Sequence, residues 1–342
     1  MKLATYKDGS RDGQLVVVSR DLAQAHYATG IATRLQQVLD DWNFLSPQLQ
    51  DLWVTLNHGK ARHAFPFDPG LCMAPLPRAY QWVDGSAYHE HVRRVRRARG
   101  AEVSEADLAE PLMYQGGSDD FLGPCDDAYF ASQDLGIDFE AEIAVVTGDL
   151  PMGVEPARAL DGVRLLMLAN DWSLRQLVPA EVAKGFGFVQ SKPATAFSPV
   201  AVTPDELGEA WFRGKVNLTL QASVNGRRLG MLEAGSEMAF HFGRLIAHLA
   251  RTRRVRAGSI IGSGTVSNAD ASRGVGCLIE KRALEIAEGG EAKTEYLKFG
   301  DVVRIEMKGR DGLSVFGAIE QEVTGPQDEP DVEADVSQHT AA

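Results

Sequence analysis

The 342-residue chain has only three cysteines, Cys72, Cys125 and Cys277, widely separated and without a CxxC pair. They exclude a disulfide framework and fit a reducing compartment. No apolar run approaches the roughly 18 residues of a membrane span. The opening MKLATYKDGSRDG carries a lysine with no apolar core behind it, which argues against a secretory signal. Lysine and arginine number 35 against 47 aspartates and glutamates, a formal net charge of -12. The broad basic surface that nucleic acid or an anionic membrane requires is therefore missing. There is no internal repeat, no GxSxG elbow and no GxxxxGK(S/T) phosphate loop. A soluble, cytoplasmic protein acting on a small molecule is expected.

What is present reads as a β-rich chain with some helix. Two β-prone runs around Asp8-Gly9 and Asp12-Gly13 predict an opening hairpin. The apolar spacing from Ile31 to Trp42 is helical, and SPQLQDLWVTL predicts a second helix with Ser46 as N-cap and Pro47 at its first position. The proline-rich FPFDPGLCMAPLPRAYQW suggests a linker. AEIAVVTGDL, VRLLMLAND, VNLTLQASVNGRRLG, GSIIGSGTV, CLIEKRALEI and DVVRIEM read as strands, with Asn225-Gly226 a hairpin turn. AFHFGRLIAHLART is a helix on the spacing of Phe242, Leu245, Ile246 and Leu249. A small N-terminal domain over 1–70, a main body over 71–323 and an acidic disordered tail over 324–342 follow.

The stretch GIDFEAEIAVV raises the central question. Read as a strand, it puts Glu140 and Glu142 on one face about 7 Å apart. Buried and unpaired, two carboxylates are costly and repel. Solvent, basic partners or a hard cation would relieve them. Asp171 ends the apolar run before it in MLANDWSLRQ, and Asp84 precedes a predicted helix in WVDGSAYHEHVRRVRRARG. Asp84, Glu140, Glu142 and Asp171 together would offer four oxygens and no sulfur, a set for Mg2+ or Ca2+ that also admits Mn2+. Spacing alone does not bring them together.

On that helix His91 lies at the edge of the stripe Tyr88, Val92, Val95 and Ala98, and as a lone residue reads as a half-buried structural histidine. The arginines after it read as a solvated face, with one able to reach an anionic substrate. In IIGSGTVSNADASRGVG no clear helix follows the glycines, so they read as a close backbone approach to a ligand, with Thr265 offering a hydroxyl. Glu280, among apolar neighbours in GCLIE, either orients a histidine or pairs with Lys281 or Arg282.

Taken in order, DGSAYHEH, PLMYQGG, DFEAEIAVVTG, ANDWSLR, QSKPATAFSP, GSGTVS and GCLIE resemble the fumarylacetoacetate hydrolase family over roughly Leu71 to Glu322. The ExE strand and the NDWS segment are the most specific parts. The resemblance implies a mixed β-roll of curved sheets behind a small α+β N-terminal domain, and a homodimer. It implies metal binding by Asp84, Glu140, Glu142 and Asp171, water activation by His91 and orientation of His91 by Glu280. Arg175 and Lys192 become cationic groups around the substrate, Tyr114 and Thr265 substrate contacts, and Thr195 an outer partner of the metal. The activity implied is metal-dependent hydrolysis of a C–C bond in a 1,3-diketo acid, fumarylacetoacetate or a related acylpyruvate, in aromatic catabolism. A lyase or isomerase of 2-oxo acids on the same scaffold and a non-catalytic, metal-stapled binding protein are the alternatives. The pattern departs where substrate is read. Ser86 replaces a tyrosine, Val178 and Val182 replace a glutamine and a tyrosine, and SKPATAF is one residue short.

Overall fold

The computed structural model describes residues 1–98, 100, 103–105 and 108–326. It is β-rich with a few helices, as expected. Most strands belong to an eleven-stranded sheet. Its middle runs Lys2–Tyr6, Ala201–Val202, Val163–Asn170, Ala141–Thr147, Ser259–Gly262, Gln81–Gly85 and Met113–Gly116. A five-stranded sheet holds Arg227–Glu233, Thr219–Val224, Val302–Met307, Ile319–Thr324 and Ala128–Tyr129. No described helix is long and apolar enough to cross a membrane.

The strand Ala141–Thr147 is buried along its whole length. Alternation of side chains sends Ile143 and Val145 into one core and Ala144 and Val146 into another. The first core lies against the five-stranded sheet and the helix Phe242–Leu249. The second is covered by the N-terminal helices Leu35–Asp40 and Trp42–Asn57, through Leu35, Val38, Leu49, Trp53 and Leu56. Burial on both faces is why the run reads as continuously apolar after Glu142. The hairpin at Asn225-Gly226 has φ of 51° and 71°, the conformation a two-residue primed turn requires.

Several local expectations change. The second helix starts at Trp42, so Ser46 and Pro47 lie inside it. Pro47 is the sixth residue of this helix, past the unpaired donors of the first turn, and forfeits the bond an N–H there would give the Asn43 carbonyl. The proline-rich stretch does not swing free. Phe65–Pro66 pairs with Gln24–Ala25, and Cys72 and Met73 meet Tyr6 and Thr5. The first 70 residues are likewise joined to the body, since Lys2 and Leu3 pair with Val202 and Ala201. Thr324 closes a strand, and 327–342, most of the expected tail, lie outside the described residues.

CLIEKRALEI is helical, not a strand: the helix runs Leu278–Gly289. Its start is capped from a distance. Asp138 accepts hydrogen bonds from the Leu278 and Ile279 N–H groups at 2.7 and 2.9 Å. A carboxylate there satisfies orphan donors and complements the helix dipole.

Candidate active site

Sheet register assembles the site. Gly262 pairs with Asp84 on one side and with Ala144 on the other, Ala169 pairs with Glu142, and Asp84 pairs with Tyr114. Asp171 follows directly after Asn170, the last residue of its strand. Three strands thus bring an acid to one level, Asp84, Glu142 and Asp171, with Gly262 and Tyr114 on the strands beside them. Two glycines make room. A Cβ on Gly262 would lie 2.3 Å from Asp84 Oδ1, and one on Gly264 (φ 73°) would lie 2.1 Å from the Gly85 carbonyl oxygen. The Gly264 N–H in turn donates to Asp84 Oδ1 at 2.9 Å. The glycine-rich stretch brings backbone to a carboxylate of the protein itself.

Carboxylate oxygens of Asp84, Glu142 and Asp171 lie within 4.8 Å of one another, all buried. Both oxygens of Glu142 lack a hydrogen-bond partner among the described residues. Burial, reinforced by Asp171, pushes the Asp84 carboxyl up to about 8. Burial, then Asp84 and Asp171, pushes Glu142 well above the usual carboxylate range. A group of this kind is in conflict with itself unless protons or a cation neutralise it. Metal–oxygen bonds of about 2.0–2.6 Å let a Mg2+, Mn2+ or Ca2+ ion reach all three acids, and the all-oxygen set suits such ions.

Glu140 is placed differently. Its oxygens accept from Arg175 Nη2 at 2.8 Å and Lys192 Nζ at 2.6 Å. Burial alone would raise its carboxyl, but Lys192 and Arg175 hold it below the usual range. It therefore stands as an ion-paired neighbour of the three-acid cluster. Lys192 also donates to Asp171 Oδ2 at 2.6 Å. Burial opposes its charge, yet Asp171 and Glu140 keep the ammonium protonated. Asp171 is completed by Thr195, which donates to Oδ1 at 2.9 Å, and by the Tyr114 hydroxyl, which donates to Oδ2 at 2.5 Å. Burial and the adjacent Asp171 keep that phenol protonated. Thr265 is buried with no partner for its hydroxyl among the described residues.

The helix His89–Ala98 carries His91, whose Nδ1 lies 2.9 Å from Glu280 Oε1. His91 is half-buried and Glu280 fully buried. The histidine is therefore oriented by the glutamate, and Glu280 takes neither Lys281 nor Arg282 as its ion partner. Its other cation is Arg94, 3.5 Å away. Arg94 corrects the solvated reading of the arginine run: it is buried and donates to Glu90 and to the Asn268 carbonyl.

Asp138 was the residue sequence reasoning left without a role. Besides capping the helix that carries Glu280, it accepts from Arg175 Nε at 2.8 Å. Burial raises its carboxyl against the pull of Arg175 and the two helix N–H groups. One acid thus fixes both the helix of Glu280 and the guanidinium beside Glu140. Its signal was being the third carboxylate of GIDFEAE.

A loop closes this side. Glu181 accepts from the N–H groups of Val189, Gln190 and Ser191 and from the Ser191 hydroxyl. Burial opposes ionisation, but these bonds, led by Ser191, lower its carboxyl to about 2. Phe188 meets the Tyr114 ring edge-on at 5.2 Å, while Phe186, between Gly185 and Gly187 at positive φ, is 99% exposed. Val178 is buried and Val182 exposed.

Residues 81–324 match the model of the fumarylacetoacetate (FAA) hydrolase C-terminal domain, and residues 1–78 that of fumarylacetoacetase N-terminal domain 2. A 2,4-didehydro-3-deoxy-L-rhamnonate hydrolase of Sphingomonas sp. is 27% identical over 220 residues, 63% of this chain. The match spans 65% of that relative's length. A fumarylacetoacetate hydrolase from Exiguobacterium antarcticum shares the fold at TM-score 0.66 and 18% identity, over 95% of this chain and 100% of its own. Maleylpyruvate hydrolase from Sphingobium sp. SYK-6, solved with manganese(II) and pyruvate, does so at 0.63 and 16%, over 96% and 100%.

Proposed function

The chain belongs to the fumarylacetoacetate hydrolase family, and from that premise we propose that it hydrolyses a C–C bond in a 1,3-diketo acid with the help of a divalent cation. The observation that carries the reading is the pairing of two devices in one site: three buried acids with an unsatisfied Glu142 at their centre, and a histidine held by a buried glutamate. The relative named for 2,4-didehydro-3-deoxy-L-rhamnonate and the structural neighbour named for maleylpyruvate support a carbonyl acid as substrate class.

Asp84, Glu142 and Asp171 would hold the cation, with Glu140 beside them. When bound, it supplies Lewis-acid polarisation of a carbonyl and charge for a developing enolate. The remaining steps fall to side chains. Donation from His91 Nδ1 to Glu280 leaves Nε2 as the basic nitrogen, able to take a proton from water as that water attacks the carbonyl. Glu280 stabilises the imidazolium that results. Lys192 and Arg175 keep positive charge at the site, where a substrate carboxylate or the leaving enolate is stabilised. Tyr114 fixes Asp171 and, with Phe188, forms an aromatic wall.

A decarboxylase on the same scaffold would release CO2 and a hydratase or isomerase would leave the C–C bond whole; several such enzymes need no water-activating histidine, so the His91–Glu280 contact favours hydrolysis. The test is incubation with a panel of acylpyruvates and fumarylacetoacetate under Mg2+, Mn2+ or Ca2+. Release of a carboxylic acid and a keto acid that stops on chelation and returns with the cation is expected. Evolution of CO2 would move the protein to the lyases, and inertness toward the whole panel with every ion would refute the assignment.

A further inference from the structure

Beside the carboxylate cluster lies a second group of donors with different chemistry. A ring nitrogen of His91, the Cys277 sulfur and a carboxylate oxygen of Glu280 lie within 4.8 Å of one another. We infer that these three residues form a separate binding site for a borderline cation such as Zn2+, and that filling it takes His91 out of use. Imidazole, thiolate and carboxylate are zinc donors, whereas the neighbouring all-oxygen set suits harder ions. The two clusters therefore sort cations by softness.

Three features support the site beyond the presence of a cysteine. Glu280 is fully buried and its Oε2 accepts no hydrogen bond among the described residues; Arg94 faces it at 3.5 Å without bonding geometry. The Cys277 thiol has no capping task, because Asp138 caps the helix that Cys277 precedes. His91 is 16% exposed on its side chain, which leaves an approach for the ion, while Cys277 and Glu280 are enclosed. Tetrahedral zinc sets its ligands roughly 3.3–3.8 Å apart, so rotation of these side chains by a small amount brings them into place. On binding, the thiol gives its proton to solvent and the imidazole ligates as the neutral ring. Thiolate and carboxylate then cancel the dication, so no net charge is buried. Water takes the fourth position.

The binding claim stands apart from the proposed reaction; only the loss of turnover rests on it. The test uses the full chain, stripped by chelation and then saturated with Mg2+ to fill the carboxylate cluster. Co2+ is titrated as a coloured probe, and Zn2+ is then added to displace it. One equivalent of Co2+ with a thiolate-to-cobalt charge-transfer band is expected, erased by Zn2+. The band should vanish in Cys277→Ala and persist in Cys125→Ser, which removes the exposed thiol. Cys277→Ser keeps the side-chain volume should the alanine variant fold poorly. Where turnover is measurable, Zn2+ should inhibit it, and Cys277→Ala should need roughly tenfold more Zn2+ with unchanged turnover in Mg2+ alone. Absence of the band in wild-type protein, or its survival in folded Cys277→Ala or Cys277→Ser, would overturn the site.

Discussion

Glu142→Gln probes the charge conflict at the centre of the site. Asp84 is raised from 3.8 to about 8 and Glu142 well above its ordinary value, burial being the first cause and the other acids the second. A raised carboxyl keeps its proton in the folded state after the unfolded chain has released it. Between about pH 4 and pH 8 the folded state therefore binds more protons, and stability of the cation-free protein falls as pH rises through that window. For Asp84 alone the shift corresponds to on the order of 5 kcal/mol at the top of the window. Glutamine preserves the shape of Glu142 and removes one charge. Part of the penalty should disappear, making the cation-free variant about 1–3 kcal/mol more stable than wild type in alkaline solution, or a few degrees in Tm. Toward acid pH, where the acids of the cluster take up protons, the difference should close. The variant should also lose the stabilisation that Mg2+ gives wild type, about 2.7 kcal/mol at a hundredfold excess over Kd. That gain should grow with pH, because the ion displaces protons. Thermal unfolding of chelated and cation-saturated protein across the pH range reads all of this. A glutamine variant no more stable than wild type in alkaline chelator, yet gaining as much from Mg2+, would refute the reasoning.

Other consequences are as direct. His91→Ala should lower kcat by about 10²–10⁴ and leave Mg2+ affinity in calorimetry unchanged; retained turnover would remove His91 from water activation. Asp138→Ala takes one of two carboxylate partners from the Arg175 guanidinium, leaving Glu140, and uncaps the helix start, so it should cost about 2–4 kcal/mol in denaturant unfolding. An unchanged midpoint would show that neither contact matters. Gly262→Ala places a methyl 2.3 Å from Asp84 Oδ1 and 2.5 Å from the Trp82 ring. Overpacking of about 1–3 kcal/mol is expected together with weaker Mg2+ binding, and wild-type affinity would mean that Asp84 is not a ligand.

Sequence carried the site further than it carried the secondary structure around it. The apolar run before Asp171 and the paired glutamates before Ile143 were legible because strand burial leaves a local pattern. Asn225-Gly226 was legible because its turn needs positive φ twice. The helix Leu278–Gly289 was not, since Leu278, Ile279, Leu284 and Ile286 fit strand and helix alike, and the group that starts it, Asp138, is 140 residues away. Arg94 was hidden for a related reason. Four arginines in five positions look alike until the Asn268 carbonyl selects one. The meeting of Asp84, Glu142 and Asp171 depends on which strands lie side by side, and Gly262, which admits the carboxylate, looks like any other glycine in its loop.

The strand Ala141–Thr147 has no wet face, and this divides the molecule by its capacity to change. A substitution along it disturbs tightly packed neighbours, and at Ala141, Ile143 or Ala144 it does so within two residues of Glu142. Change is cheaper elsewhere. The segment from Val178 to Ser191 is one such place, because Glu181 secures its base through three backbone N–H groups, which every residue except proline provides, together with the Ser191 hydroxyl. Exposed positions such as Val182, Phe186 and Val189 can then vary without loosening Lys192, while the charged interior behind them stays unchanged.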